Sequence, residues 1–564
     1  MSGLFGTLGV ARSALYAQQL VLQTTSNNVA NASRTDYSRQ VVDLTDSVPE
    51  TLSMGQVGTG VTAAGIRRIR DSFLDRQYWQ AQQALGEQTA SQSTLSQIES
   101  LLGEPSDSGL QAQLTSFFSA LQGLQTNPQD PTTRSTVLEQ ASALADGFQH
   151  LSTGMQDLKT NLESDINQKV AQINSLVKEI GTLNGQIKTQ APDGGPSNTL
   201  MDQRDSDVDA LANLVGINRT EQTDGTTVIT LAGSGGFLVY GTDMQTLTAG
   251  HGANDTYTVA LNGVAVTPNG GELSGTLSAR NDPNDFVKYT QGRLDTLATT
   301  LIEQVNRIQA SGAGLVGLSA TQSQYAVSDP SAALTAAGLP FTLAPGSFQV
   351  FTYDASNAVT GSATITITGA TSLNDLATQI GAVTGLSASV ANGKLSLTAA
   401  AGTTFRFAAD TSNALAALGL NSFFSGSTAA TIGVNSDLIA NPNQLSTGTA
   451  DAATGVVAAA DTTSAVALSQ LQTAKLLDGG QASLGDYYAE TIGVLGTRTA
   501  AANQAVETNT AITDAIQNQR QQVSGVSVDE EMIQLTQAQR AYQAAARVVT
   551  IVDDLLNTLI NVMT

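Results

Sequence analysis

The sequence predicts a multidomain α+β protein. The N- and C-terminal helices pair as a coiled-coil-like bundle, a long helical-bundle domain follows, and two mostly-β domains are inserted. Three observations predict this. Both ends of the chain carry apolar residues at seven-residue spacing. A third heptad run lies inside the chain. Two stretches between the helices alternate apolar and polar residues instead.

Residues 1–32 read as a helix. Leu8, Leu15, Leu22 and Val29 recur every seven residues, with Leu4 and Ala11 beside the same stripe. The positions between are Gln, Ser, Thr and Asn, which leaves a narrow seam on a polar helix. An ordinary core helix has the same pattern, so the far end decides. Ser527 and Glu530 stand at capping-box spacing just after Ser524-Gly525. The helix that follows carries Leu535, Tyr542, Val549, Leu556 and Met563 at heptad spacing, with Ala538, Ala545, Val552 and Leu559 three residues after each of the first four. At 1.5 Å per residue, about 38 residues span roughly 57 Å. A helix with one bare seam needs a partner, and the N-terminal seam is the available one. The alanines allow close approach.

Ile166, Ile173, Ile180 and Ile187, with Val170 and Val177, mark another long helix over 154–189. Shorter helical patterns lie at 71–102, 108–125, 131–150, 201–215, 284–310, 464–477 and 482–522. Residues 217–283 alternate and are cut by Gly, Asn and Asp, a small β domain. Residues 340–408 alternate around a short helix from Leu373 to Val383, with a turn at Asn392-Gly393. The expected domains are 1–40 with 524–564 (terminal assembly), 41–216 with 284–318 and 461–523 (helical rod), 217–283 (β), and 319–460 (α+β insert with a Gly/Ser/Thr-rich return linker).

Composition narrows function. The chain has 564 residues and a formal charge of −23, so nucleic acid and anionic lipid are poor partners. It has no cysteine, which excludes disulfides and thiolate sites. No stretch is long enough to span a membrane, and the N-terminus lacks the regions of a cleaved signal peptide. His150 and His251 have no partners at metal-ligand spacing and read as solvated. Asp202, Asp205, Asp207 and Asp209 suggest a calcium loop, but Ala210 and Gly216 stand where its Gly and Glu belong. They read instead as acidic first turns of a helix. Trp79 reads as core, and Gly233–Gly236 as a hairpin turn. No catalytic constellation, metal site or cofactor motif emerges, so the chain is not read as an enzyme.

Ser26-Asn27-Asn28-Val29-Ala30-Asn31, followed by Tyr37-Ser38-Arg39-Gln40, resembles the signature of flagellar rod, hook and hook-associated proteins. The Tyr37–Gln40 block is most similar to the hook-associated protein 1 family. Three further blocks agree, at Ile66–Leu74, Leu200–Asp205 and Ser524–Glu531, and so does Gln539–Ala545. One departure stands out. Arg34-Thr35-Asp36 precedes Tyr37 where the family has Thr-Pro-Gly, which removes a preset turn. Asp tolerates αL geometry or an Asx turn, so a bend is still expected there.

The resemblance implies a structural protein that forms a ring of copies joining hook to filament. It implies hook protein and a second junction protein as neighbours, export through the flagellar type III channel without a cleaved signal, and an export chaperone on the C-terminal helix. It also implies terminal regions that order only on incorporation. The alternatives are a hook or distal rod protein of the same axial family, or an adhesin working through the inserted β domains.

Overall fold

The structure is a computed structural model and describes residues 2–52, 55–194 and 197–563. It divides into two compact units. One comprises Met1–Thr94, Asn161–Asn281 and Ala500–Thr564, the other Leu95–Thr160 and Asp282–Thr499.

In the first unit, the N-terminal helix Ser2–Ala30 packs along the C-terminal helix Val528–Met563. The end of the first meets the start of the second, so the two run antiparallel. The buried side chains of the pair are small: Ala11, Ala17, Thr24 and Thr25 on the first helix, Ala538, Ala545 and Val552 on the second. Small residues let the helices approach, and the larger side chains flank the contact. Leu4, Leu8, Leu15, Leu22, Val29, Leu535, Val549 and Leu556 are accordingly only half-buried. Tyr542 and Leu559 fall outside the contact and are exposed. The side chain of Met563 lies outside the described residues.

The segment after the N-terminal helix forms strands, which helical periodicity did not reveal. Gln40–Asp46 pairs antiparallel with Val61–Arg68, Gln40 opposite Arg68, with a register shift between Asp43 and Leu44. A shorter hairpin, Glu50–Leu52 with Gly55–Val57, lies between them.

The isoleucine heptad is buried as expected, with Ile166, Ile173 and Ile180 fully inaccessible. Its cover is a pair of sheets. One has four strands from Ile217–Glu221 to Asp243–Met244, the other three from Leu247–His251 to Val264–Val266. Alternating strands have one apolar face, and the helix stripe covers it through Ile229, Leu231, Val239 and Val259. Asn174 pins a strand by accepting from Leu247 N–H and donating to its carbonyl, both at 2.8 Å. Gly271–Asn281, read as part of the β stretch, is a helix; Leu273 joins this same core.

The patterns at 131–150 and 154–189 are one helix, Pro131–Gly194. Gly154 stands at the junction of the two patterns. A Cβ there would lie 2.4 Å from the Leu101 side chain, so glycine makes room for a neighbour without ending the helix. The helix expected over 464–477 is shorter, Thr463–Gln470, while Leu484–Ser524 is continuous.

In the second unit, the helix Phe286–Ser311 presents Asn306 to a cluster of phenylalanines. The Asn306 amide accepts from Phe423 N–H and Phe424 N–H and donates to the Phe424 carbonyl. Gly346–Tyr353 is the central strand of one sheet, between Val359–Ile367 and Thr404–Ala408. A second sheet holds Lys394–Ala399 between Ala320–Gln322 and Leu386–Ala391. The hairpin turn at Asn392-Gly393 has positive φ at both residues, the geometry that selects Asn-Gly. The return stretch is packed rather than a loose linker: Leu445, Ser446 and Thr447 are buried.

Candidate functional site

The motif residues gather where the two chain ends meet. Asn28, one turn from the end of the N-terminal helix, is 1% exposed and uses its whole amide. Its nitrogen donates to the Gln40 carbonyl and to Glu531 Oε2, each at 2.9 Å. Its oxygen accepts from the Tyr37 hydroxyl at 2.8 Å and from Gln40 N–H at 3.0 Å. A buried amide with all four bonds made specifies one geometry. Glu531 is fully buried, and its other oxygen takes Arg39 Nε at 2.7 Å. Arg39 also donates its backbone N–H to the Ser524 carbonyl, the last residue of the long helix Leu484–Ser524.

The remaining motif residues play supporting parts. Asn31 caps its own helix end by donating to Asn27, while Ser26, Asn27 and Ala30 face solvent. Buried Ser38 donates its N–H to Asp202 at 3.2 Å. Ser527 accepts from Glu530 N–H at 3.5 Å, a weak half of the capping box. The reverse bond is not among the hydrogen bonds of the described residues; the Glu530 carboxylate lies 3.4 Å from Arg39 Nη1. The bend before Tyr37 survives without proline or glycine. Asp36 does not adopt positive φ; its carboxylate grips Arg34 through two bonds, at 3.1 and 2.7 Å.

The acidic cluster is not a helix start. Asp202, Asp205 and Asp209 sit within Asn198–Leu214 and meet arginines from three other segments. Arg68 Nη1 reaches Asp202 at 2.7 Å and Asp205 at 2.8 Å. Arg70 lies 3.0 Å from Asp205 and forks onto Asp75, and Arg219 lies 2.7 Å from Asp205. Arg520, from the long helix, contacts Asp75 and Asp209, and Trp79 Nε1 donates to Asp209 at 2.6 Å. Burial pushes the Asp205 carboxyl up, but Arg219, Arg70, Arg68 and Arg204 overcome it and hold it well below the usual carboxylate range. Asp207 faces away from this network. Its burial, with Glu179 adding repulsion, pushes its carboxyl up to about 6, and Oδ2 is buried without a partner. Asp202, Asp205 and Asp209 share one helix face, but periodicity could not reveal the network, because its arginines come from distant segments.

A polar cleft of about 630 Å³ opens beside this tie, walled by Tyr37, Arg39, Arg70, Asp209, Arg520 and Glu530. Among the described residues, no three His, Cys, Asp or Glu side chains gather as a metal site, and no helix is long and apolar enough to cross a membrane. His150 is exposed; His251, also exposed, ends a strand with its ring edge-on to Tyr257.

A second feature belongs to the C-terminal helix. Ile533, Val548, Ile551, Leu555 and Val562 are exposed, and Val548, Ile551 and Leu555 follow a three- and four-residue spacing, with Val562 seven residues further on. This stripe lies one residue off the heptad line of Leu535, Val549 and Leu556. The helix is therefore apolar on two faces, only one of which is covered.

Comparison with known proteins agrees with this geometry. A family model described as the flagellar hook-associated protein FlgK helical domain matches residues 95–323. Models of the flagella basal body rod protein and of the basal body rod FlgEFG protein C-terminal region match 8–36 and 517–562, the two chain ends. Flagellar hook-associated protein 1 of Bacillus subtilis is 31% identical over 100% of this chain and 99% of its own length. The Escherichia coli protein of that name is 29% identical over 98% of each. The flagellar hook junction protein FlgK from Burkholderia pseudomallei shares the fold, with a TM-score of 0.54 at 19% identity, covering 80% of this chain and 100% of that one. The chain whose two ends are tied through Asn28 and Glu531 belongs to the flagellar hook-associated protein 1 family.

Proposed function

We propose that this chain works as a ring-forming structural adaptor at the hook–filament junction, and that its paired terminal helices are the assembly element. The observation that carries this is the uncovered apolar stripe on a helix whose other face is already tied to the N-terminus. Ile551 is 57% and Val562 80% exposed. Surface of that kind, repeated on identical subunits, supports heterologous contacts that close into a ring.

The tie through Asn28, Glu531 and Arg39 fixes how the two helices present the stripe. The half-buried leucines Leu8, Leu15 and Leu22 and exposed Phe5 extend the apolar surface on the N-terminal helix. On this reading the axial neighbours are hook protein on one side and a second junction protein on the other. The same stripe before assembly suits an export chaperone that takes an amphipathic helix in a groove. Export would proceed through the flagellar type III channel, with the chain acting structurally and not as an enzyme.

The absence of cysteine gives a direct test. Ile551→Cys places one thiol on the stripe. A short bifunctional maleimide should link copies of the chain in isolated hook–filament junctions and leave the free monomer unlinked. Failure to link copies in assembled junctions would count against the stripe as a subunit contact.

A further inference from the structure

The second unit holds a cleft of about 390 Å³, a volume suited to a small ligand. Arg406, on the edge strand Thr404–Ala408, is one of its lining residues. The residue is 6% exposed, its Nε has no hydrogen-bond partner, and it enters no ion pair among the described residues. Its guanidinium rests 4.7 Å from the centre of the Tyr353 ring, and that ring is fixed by the Tyr353 hydroxyl donating to the Gly455 carbonyl at 2.6 Å. Phe351, Ala450 and Val457 pack beside Tyr353, while Gln129, Asn357, Thr447, Thr454 and Asp461 add polar groups to the cleft wall. A buried cation is costly unless paired, and an aromatic face offsets only part of that cost.

A second guanidinium, that of Arg134, bonds residues of the cleft wall. Arg134 is fully buried and bonds only neutral oxygens, those of Pro128, Pro442, Leu445 and Thr447. Pro128 and Thr447 also line the cleft. The acidic lining residue, Asp461, spends its carboxylate on Thr449 N–H, Thr463 N–H and the Thr463 hydroxyl. In a chain of charge −23, one buried cation, Arg406, lines this cleft against one occupied anion. Its mouth includes exposed apolar side chains, Leu315, Val359 and Val456.

We propose that this cleft binds a small organic carboxylate, with the Arg406 guanidinium taking the carboxylate and the three apolar side chains taking a short hydrocarbon body. Arg presents donors in a planar fork that matches a carboxylate. The site is independent of the assembly role, since it lies in the other unit.

The test uses the full-length chain at constant ionic strength, titrated with hexanoate, acetate, inorganic phosphate or chloride. Two readouts apply: thermal unfolding, and the ¹⁵N resonance of Arg406 Nε, assigned by its loss in Arg406→Lys. Hexanoate should raise the unfolding temperature and move the Nε resonance, and acetate should do so more weakly. Arg406→Lys and Arg406→Met should each weaken hexanoate binding at least tenfold, while Arg307→Gln, at an exposed arginine, should not. The resonance needs no variant to fold other than the one used for assignment. An Nε signal that ignores hexanoate, a response to phosphate or chloride as large as that to hexanoate, or binding retained by Arg406→Met would each overturn the proposal.

Discussion

The Asn28 side-chain nitrogen lies 2.9 Å from the Glu531 carboxylate, across 503 positions of sequence. One amide thereby closes the chain on itself. Asn28→Asp would set an oxygen against the Gln40 carbonyl and the Glu531 carboxylate. Leaving buried acceptors without a donor in this way costs about 1–3 kcal/mol. The expected outcome is early hydrogen exchange across 524–540 with the sheets of the same unit still protected. Unchanged exchange at 524–540 would show that the bond does not hold the ends together.

Asp205 is the hub of the arginine network, and its variant should depend on pH. Its folded carboxyl titrates below the unfolded value of 3.8, so its contribution is present above about pH 4 and lost as pH falls below that. Asp205→Asn should cost about 3–5 kcal/mol in urea unfolding at pH 7, because several buried guanidinium groups lose a partner. The difference from the parent chain should shrink as the medium is acidified through the carboxylate range. A constant difference across pH would contradict the ionic account.

Asp207 makes the opposite prediction. Its folded carboxyl is raised to about 6, so it favours the fold below about pH 4 and that contribution is lost as pH rises through 6. Asp207→Asn should therefore stabilise the protein at pH 7.5, on the order of 1 kcal/mol for a half-buried group. It should change little at pH 3.5. Loss of stability at pH 7.5 would show that the carboxylate has a favourable partner.

Much of this was legible beforehand, and the parts that were not share a cause. The terminal seams could be read because Ala538, Ala545 and Val552 repeat every seven residues, and those are the ones buried. The Asn392-Gly393 turn could be read because its chemistry is local. Asn28 was recognisable as part of a motif, but its job was not, since Gln40 and Glu531 meet it only in the folded chain. Arg68 and Arg70 stand in a motif block, but their partners, like those of Arg520, gave no signal, because long-range ion pairs have no sequence period. The exposed stripe at Val548, Ile551 and Leu555 was hidden beside a heptad one residue away.

That stripe can be altered without touching the core. Ile551 and Leu555 are 57% and 50% exposed. Ile551→Asp together with Leu555→Asp should shift monomer stability by no more than about 1 kcal/mol, as exposed positions do. Circular dichroism of the monomer should match the parent. Motility should be lost, because charge on the stripe opposes subunit contact. Full motility would place the subunit contact elsewhere.

The terminal helices as the assembly element are tested most directly by electron microscopy of cells whose only copy of this chain lacks residues 527–564. The account predicts a soluble, exported or retained protein and bare hooks without filaments. Hooks carrying normal filaments would contradict it.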